Sequence, residues 1–341
     1  LDSETEIRHI KQIDKVEIVI LNSSKYRKLL RNLSTYSAII VHGLFFPWQE
    51  QIILSALEHI KIAWVCWGGE IYGRKELLSH FLDQRTKWIY WEKQIKRMLK
   101  LKPLLGKEFF VNKKTFQRIN FCLSDMPEEY EYVKHFCKSS SMEYLWYNYY
   151  SIEETLGELK YENVRGSNIL VGNSCSLENN HLDVFNLLKK LNLQQRKIIV
   201  PLSYGSNWLR LIIICKGEKY FKENFMPLND FLDRKSYNKI LCTCPIMIMN
   251  HIRPQAQGNI ITGLWLGAKV YLNNKSITYS YFKRLGIHIF SIENDLKPSN
   301  RKALLPLEKE MVEKNRKILM QQYGLENVME KTKLIVNTLS E

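Results

Sequence analysis

The residues best suited to chemistry lie in one stretch, His251 to Leu272, which reads HIRPQAQGNIITGLWLGAKVYL. His251, Arg253, Gln255, Gln257 and Asn259 crowd the point where a polar loop gives way to an apolar helix, beginning near Asn259. A helix N-terminus offers unpaired N–H groups and partial positive charge, so it suits a phosphate. Gly258 lets the backbone approach such an anion, and Arg253 can give it charge-assisted, bidentate hydrogen bonds. Gly172, Asn173 and Ser174 follow another apolar run and repeat the pattern. Two groups could take a proton from a hydroxyl: His42, after AIIV, and Glu70, after KIAWVCWGG. Each feature also has a purely structural reading: a polar loop with a helix cap at 251–259, and a carboxylate bonded to turn N–H groups at Glu70.

These residues need strands to carry them. Pro245 to Met249 reads as a buried parallel strand, Gly267 as a helix stop, and Ala268 to Leu272 as a further strand. That strand–loop–helix–strand order puts the loop at the carboxyl edge of a parallel sheet, where open α/β folds bind ligands. The same grammar recurs along the chain. Strands are expected at 15–21, 38–41, 61–67, 118–123, 143–146, 168–171, 197–202 and 287–291. Helices are expected at 24–33, 48–60, 74–102, 127–137, 206–215 and 229–240, with another capped by Asn179 or Asn180 and running to 191. This alternation predicts an α/β fold with doubly wound sheets. The polar, aperiodic segment Ser151 to Gly166 marks the boundary. The expected domains are 1–155, 166–305 and a helical tail, 306–341.

The 341 residues suit two domains, and 45% hydrophobic content is enough for two cores. No apolar run of about 18 residues predicts a membrane-spanning helix. The seven scattered cysteines lack zinc-finger spacing and read as buried free thiols. The formal charge of +15 implies an anionic partner. Cations concentrate between Arg85 and Arg118, interleaved with Trp88, Tyr90 and Trp91, as on a helix lying on an anionic lipid surface. Lys87, Trp88, Trp91, Lys93, Lys96, Arg97 and Lys100 are the expected contacts. A solvated helix face is the plainer reading. No RRM, KH, helix-turn-helix or zinc pattern supports nucleic-acid binding, and the absence of G-x-G-x-x-G argues against an NAD enzyme.

Taken together, His42-Gly43, Trp64-x-x-Trp67-Gly68-Gly69-Glu70-x-Tyr72, Val171-Gly172-Asn173-Ser174, Pro201 with Tyr204, and Gln257-Gly258 resemble the 4-acetamido-4,6-dideoxygalactose (Fuc4NAc) transferases. These are the TDP-Fuc4NAc:lipid II transferases, glycosyltransferase family 56, and the resemblance runs from about residue 15 to about 290. It implies a GT-B fold, two Rossmann-like domains facing each other across a cleft. It implies an inverting, cofactor-free and metal-independent hexosyltransferase using a dTDP-sugar and a polyprenyl-diphosphate-linked acceptor. It also implies peripheral attachment to the cytoplasmic face of the bacterial inner membrane. The donor diphosphate and sugar fall to Gly172, Asn173, Ser174, His251, Arg253, Gln257, Gly258 and Asn259. Nucleobase and ribose fall to Tyr204, to Phe225 and Met226 in the loop expected at Phe225-Met226-Pro227, and to Thr262, which stands where many GT-B enzymes carry a ribose-binding glutamate. Glu70 ranks before His42 as base because the family keeps an acid there, usually Asp. The first β/α segment of the N-terminal domain is expected to be missing. Another nucleotide deoxysugar, such as a fucosyl donor, or a non-catalytic nucleotide- or nucleic-acid-binding protein, are the alternatives.

Overall fold

In a computed structural model the structure describes residues 16–99 and 111–341, and the chain divides into two compact units. The first comprises Leu1–Ile71, Gly106–Tyr147 and Lys331–Glu341; the second comprises Tyr72–Leu105 and Asn148–Glu330.

The first unit is built on a four-stranded parallel sheet, β1 (Ala38–His42), β2 (Lys61–Val65), β3 (Phe121–Ser124) and β4 (Glu143–Trp146), in that order. β2 is buried from Ile62 to Val65, as expected of a strand covered on both faces. Helices Pro47–Ser55 and Pro127–Cys137 lie in the β1–β2 and β3–β4 connections. Both begin at proline, whose fixed φ and missing N–H suit the first helical position. Ala63, Val65, Phe121 and Leu123 share a core with Ile335 and Leu339 from the last helix. The strand expected at 15–21 does not form over residues 16–21, and Lys15 lies outside the described residues. Val16 and Ile18 stay exposed. An apolar run alone does not make a strand, because its backbone groups need a neighbouring ladder.

The second unit holds six parallel strands: β5 (Ile169–Val171), β6 (Ile198–Pro201), β7 (Phe225–Leu228), β8 (Ile246–Met249), β9 (Lys269–Leu272) and β10 (Phe290–Ser291). Their order is β10-β9-β8-β5-β6-β7. The winding reverses between β5 and β8, which places a topological switch point at their carboxyl ends, the ligand crevice of open α/β sheets. β5, β6, β8 and β9 are buried at every position.

Several expected boundaries shift. Tyr72–Leu105 belongs to the second unit, not to a 1–155 domain. The cause is local: Asp183 accepts hydrogen bonds from the Arg85 and Thr86 amides, at 2.8 and 3.0 Å, and from the Thr86 hydroxyl at 2.7 Å. This pins the start of helix Gln84–Leu99, and Ile89 packs into that unit's core. The single helix expected over 74–102 is therefore two, Lys75–Leu78 and Gln84–Leu99, with residues 100–102 outside the described ones. The aperiodic linker contains helix Ile152–Leu156, closed by a reciprocal Ser151–Glu154 capping box. The tail does not form a separate domain. Helix Lys309–Tyr323 belongs to the second unit, where the Tyr323 hydroxyl bonds that of Tyr281 at 3.1 Å, and residues from Lys331 onward belong to the first.

Candidate active site

In the second unit, the β5 and β8 loops and helix Gln257–Leu266 meet at the switch point. The helix has Ala256 at its N-cap, in the left-handed region (φ 57°), and this residue gives the helix no side-chain capping bond. A Cβ at Gly258 would meet nothing within 4 Å, so the space over this turn is open. The helix dipole thus ends uncapped at the place where an anion is best stabilised.

The loops are fixed from beneath by Asn179, which is fully buried. Its Nδ2 donates to the Ser174 carbonyl at 2.9 Å, the Ser174 hydroxyl at 3.1 Å and the Ser176 hydroxyl at 2.9 Å. Its Oδ1 accepts from the Asn173 amide at 3.0 Å and sits 2.7 Å from His251 Nε2. The Ser174 carbonyl can only accept, which fixes the amide's orientation; His251 must then carry its proton on Nε2. Burial, aided by the nearby Arg253 charge, lowers the His251 pKa to about 3, and burial does the same for His181. Both imidazoles are neutral. Gly172 adopts φ 68°, and a Cβ there would lie 2.7 Å from both Asn179 Oδ1 and His181 Nε2, so only glycine fits.

Around this floor the expected donor-site residues behave differently from one another. Gln255 Nε2 donates to Asn173 Oδ1 at 2.9 Å and ties the two loops together. Arg253 Nε donates to Glu178 Oε1 at 3.2 Å. The Gln257 side chain reaches the Tyr323 hydroxyl at 3.3 Å. Ser174 is buried under Asn179 and His251 is buried beside it, so both hold the loop rather than line an open surface. Asn173, Tyr204 and Asn259 line a cavity of about 250 Å³. The rest of its wall comes from Pro201, Ser203, Leu228, Asp230, Phe231, Leu232, Arg234 and Tyr237. Asn259 Nδ2 donates to the Tyr237 hydroxyl at 3.2 Å.

Two expected nucleobase contacts move. Phe225 and Met226 are not in a loop but in strand β7, paired in register with Ile198 and Ile199. The Phe225 ring packs edge-on to Phe185, with centroids 5.8 Å apart, and lies against Gly217, so it is partly buried against the core. Pro227 made this run read as a loop, yet β7 ends the sheet order, where proline is tolerated. Thr262 is buried in the body of its helix and does not line the cavity. Asn180, expected as a possible helix cap, makes no capping bond; its side chain instead donates to the carbonyls of Phe81, Glu178 and Asn250.

The first unit carries the two candidate proton acceptors at the carboxyl end of its sheet. Glu70 Oε1 accepts from the Trp64 indole at 3.0 Å and the Trp67 amide at 3.1 Å. Its Oε2 is buried and has no hydrogen-bond partner among the described residues. Burial raises the Glu70 pKa, although these hydrogen bonds act against it. His42 is exposed, edge-on to Tyr147 with centroids 6.4 Å apart, and partial burial lowers its pKa. Gln49 braces its loop, accepting from the Phe45 and Phe46 amides and donating to the Gly43 carbonyl.

On helix Gln84–Leu99, Thr86 and Tyr90 are buried, while Trp88, Trp91 and Ile95 form an exposed apolar stripe. Lys93 does not stand clear of the protein, because its ammonium lies 4.0 Å from the Trp208 ring centroid. Lys96 pairs with Glu92, Lys87 is half-buried, Arg97 lies in the helix's last turn, and Lys100 is outside the described residues. Among the described residues, no helix is long and apolar enough to cross a membrane. All seven cysteines are free.

A family model described as 4-alpha-L-fucosyltransferase, glycosyl transferase group 56, matches residues 28–312. The chain belongs to this family. It is a glycosyltransferase. No curated protein matches it by sequence. Among solved structures it is similar to a glycosyltransferase from Rickettsia africae ESF-5, at 13% identity and TM-score 0.60 over 96% of this chain and 87% of that one. It is also similar to a UDP-forming α,α-trehalose-phosphate synthase from Burkholderia xenovorans, at 9% identity and TM-score 0.59 over 92% and 77%. A trehalose-6-phosphate synthase, OtsA, matches at 10% identity and TM-score 0.60 over 93% and 75%. At such identities these likenesses establish the fold alone, and the fold is GT-B.

Proposed function

We propose that this glycosyltransferase moves a 4-acetamido-4,6-dideoxyhexose, Fuc4NAc-like, from a dTDP-sugar to a polyprenyl-diphosphate-linked glycan, with inversion and without a metal. The observation that carries the reading is the uncapped N-terminus of helix Gln257–Leu266, opening beside a cavity lined by Tyr204 and Asn259. The leaving diphosphate sits on the helix N–H groups, with Arg253 giving the charge-assisted bond. The nucleoside occupies the cavity, its base against Tyr204 and Phe231, aromatic side chains that are largely exposed there. Glu70 takes the proton of the acceptor hydroxyl on its buried Oε2. Trp88, Trp91 and Ile95 rest on the cytoplasmic face of the inner membrane, where a lipid-linked acceptor lies.

The test is transfer from a panel of sugar nucleotides, including dTDP-Fuc4NAc and a fucosyl donor, to a synthetic polyprenyl-diphosphate disaccharide in EDTA. Turnover with dTDP-Fuc4NAc supports the reading. Turnover only with the fucosyl donor, which the family's description favours, replaces the sugar; turnover that EDTA abolishes removes metal independence.

A further inference from the structure

The charge at the proposed diphosphate site is cancelled within the protein. Arg253 is bound by Glu178, and the two side chains are only 18% and 13% exposed. The nearby His181 and His251 are neutral because they are buried. A diphosphate entering here therefore meets a carboxylate already bonded to the guanidinium that should receive it. The bond geometry suits an exchange. Glu178 takes the Nε edge of Arg253, Nη1 bonds only the adjacent Pro254 carbonyl at 3.2 Å, and Nη2 has no partner among the described residues. Glu178 lies on the short 3-10 turn Leu177–Asn179, after β5, and Arg253 on the loop after β8. The pair thus spans the switch point.

We infer that Glu178 is an internal competitor for Arg253, standing in for the donor phosphate in the empty site and reclaiming the guanidinium after transfer to expel the nucleoside diphosphate. The inference rests on the donor-site reading above. It makes Glu178 a residue that sets product release rather than one that binds substrate. A purely structural Glu178 would hold Arg253 in place, and its loss would weaken binding. A competitor does the opposite, because removing it unmasks a cation beside a dianion.

The experiment is calorimetric titration of dTDP, and of thymidine as a phosphate-free control, into wild type, Glu178→Gln, Arg253→Gln and the double variant. Glutamine keeps the shape and an acceptor oxygen, and melting curves check that each variant is folded. The inference predicts that Glu178→Gln binds dTDP roughly five- to tenfold tighter, the scale of a partly screened charge pair, and leaves thymidine affinity unchanged. In the Arg253→Gln background the gain should shrink to less than half. With saturating donor, kcat of Glu178→Gln should fall as release slows. Unchanged or weaker dTDP binding by Glu178→Gln, with wild type binding dTDP, overturns the inference and leaves the donor site standing. Equal tightening for thymidine, or full tightening without Arg253, also overturns it. Failure of wild type to bind any nucleoside diphosphate overturns both.

Discussion

Replacing Asn179 with alanine should damage stability and donor binding together. Five groups lose a bond: the Asn173 amide, the Ser174 carbonyl and hydroxyl, the Ser176 hydroxyl and His251 Nε2; the two hydroxyls can turn to other partners, which leaves three that cannot. Each buried group left unpaired costs about 1–3 kcal/mol. The losses share one site and are less than additive, so the total should be about 3–5 kcal/mol. For a unit of this size that lowers Tm by roughly 6–15 °C. The Gly172–Ser176 loop also loses its support, so dTDP affinity should drop at least tenfold, because a binding loop must be held in its productive geometry. Thermal melts and dTDP titration measure both effects. The double variant with His251→Ala should be less damaging than the sum of the singles, since the two residues share one bond. A Tm within about 2 °C of wild type, with unaltered dTDP affinity, would refute the argument that this amide organises the site.

Three other outcomes follow from the same structure. Glu70→Gln should cut turnover about 10²- to 10⁴-fold, the usual contribution of a general base, while leaving dTDP affinity intact; because burial raises the Glu70 pKa, wild-type kcat should fall on the acid side at a pH above that of an exposed glutamate. The two buried histidines make stability acid-sensitive: their folded pKa of about 3 lies below the unfolded value of 6.5, so their contribution is complete above pH 6.5 and is lost as pH falls towards 3. At pH 5 each costs about 2 kcal/mol; His251→Gln melts at pH 7 and pH 5 should show a smaller acid loss than wild type. Trp88→Ala/Trp91→Ala should reduce flotation on anionic liposomes with almost no change in Tm, because both rings are exposed; unchanged flotation would remove this stripe from membrane binding.

The strands that carry the site were legible because parallel strands buried on both faces read as short apolar runs ending in glycine or asparagine. Val171-Gly172 and Met249-Asn250 are such endings, and they mark the switch point. Pro227 hid β7, because proline signals a break unless the strand is known to lie at an edge, and edge position is a tertiary property. The apolar run at 16–21 failed for the converse reason, having no ladder to join among the described residues. The site's framework was less visible than its glycines. In Leu177 to Asp183, LENNHLD, nothing in the sequence separates one cap from four distinct tasks. Glu178 neutralises Arg253, Asn179 supports two loops, Asn180 binds three carbonyls and Asp183 anchors a helix some hundred residues earlier. These roles depend on partners far away in sequence, so local pattern carries no trace of them.

The central claim is that the donor diphosphate lies on the N-terminus of helix Gln257–Leu266. A crystal structure of the protein with dTDP bound tests it most directly. The account predicts phosphate oxygens within about 3.2 Å of the backbone nitrogens at Gly258 and Asn259, a guanidinium contact from Arg253, and thymine beside Tyr204. A diphosphate bound away from this helix, with the cavity at Tyr204 empty, would contradict it.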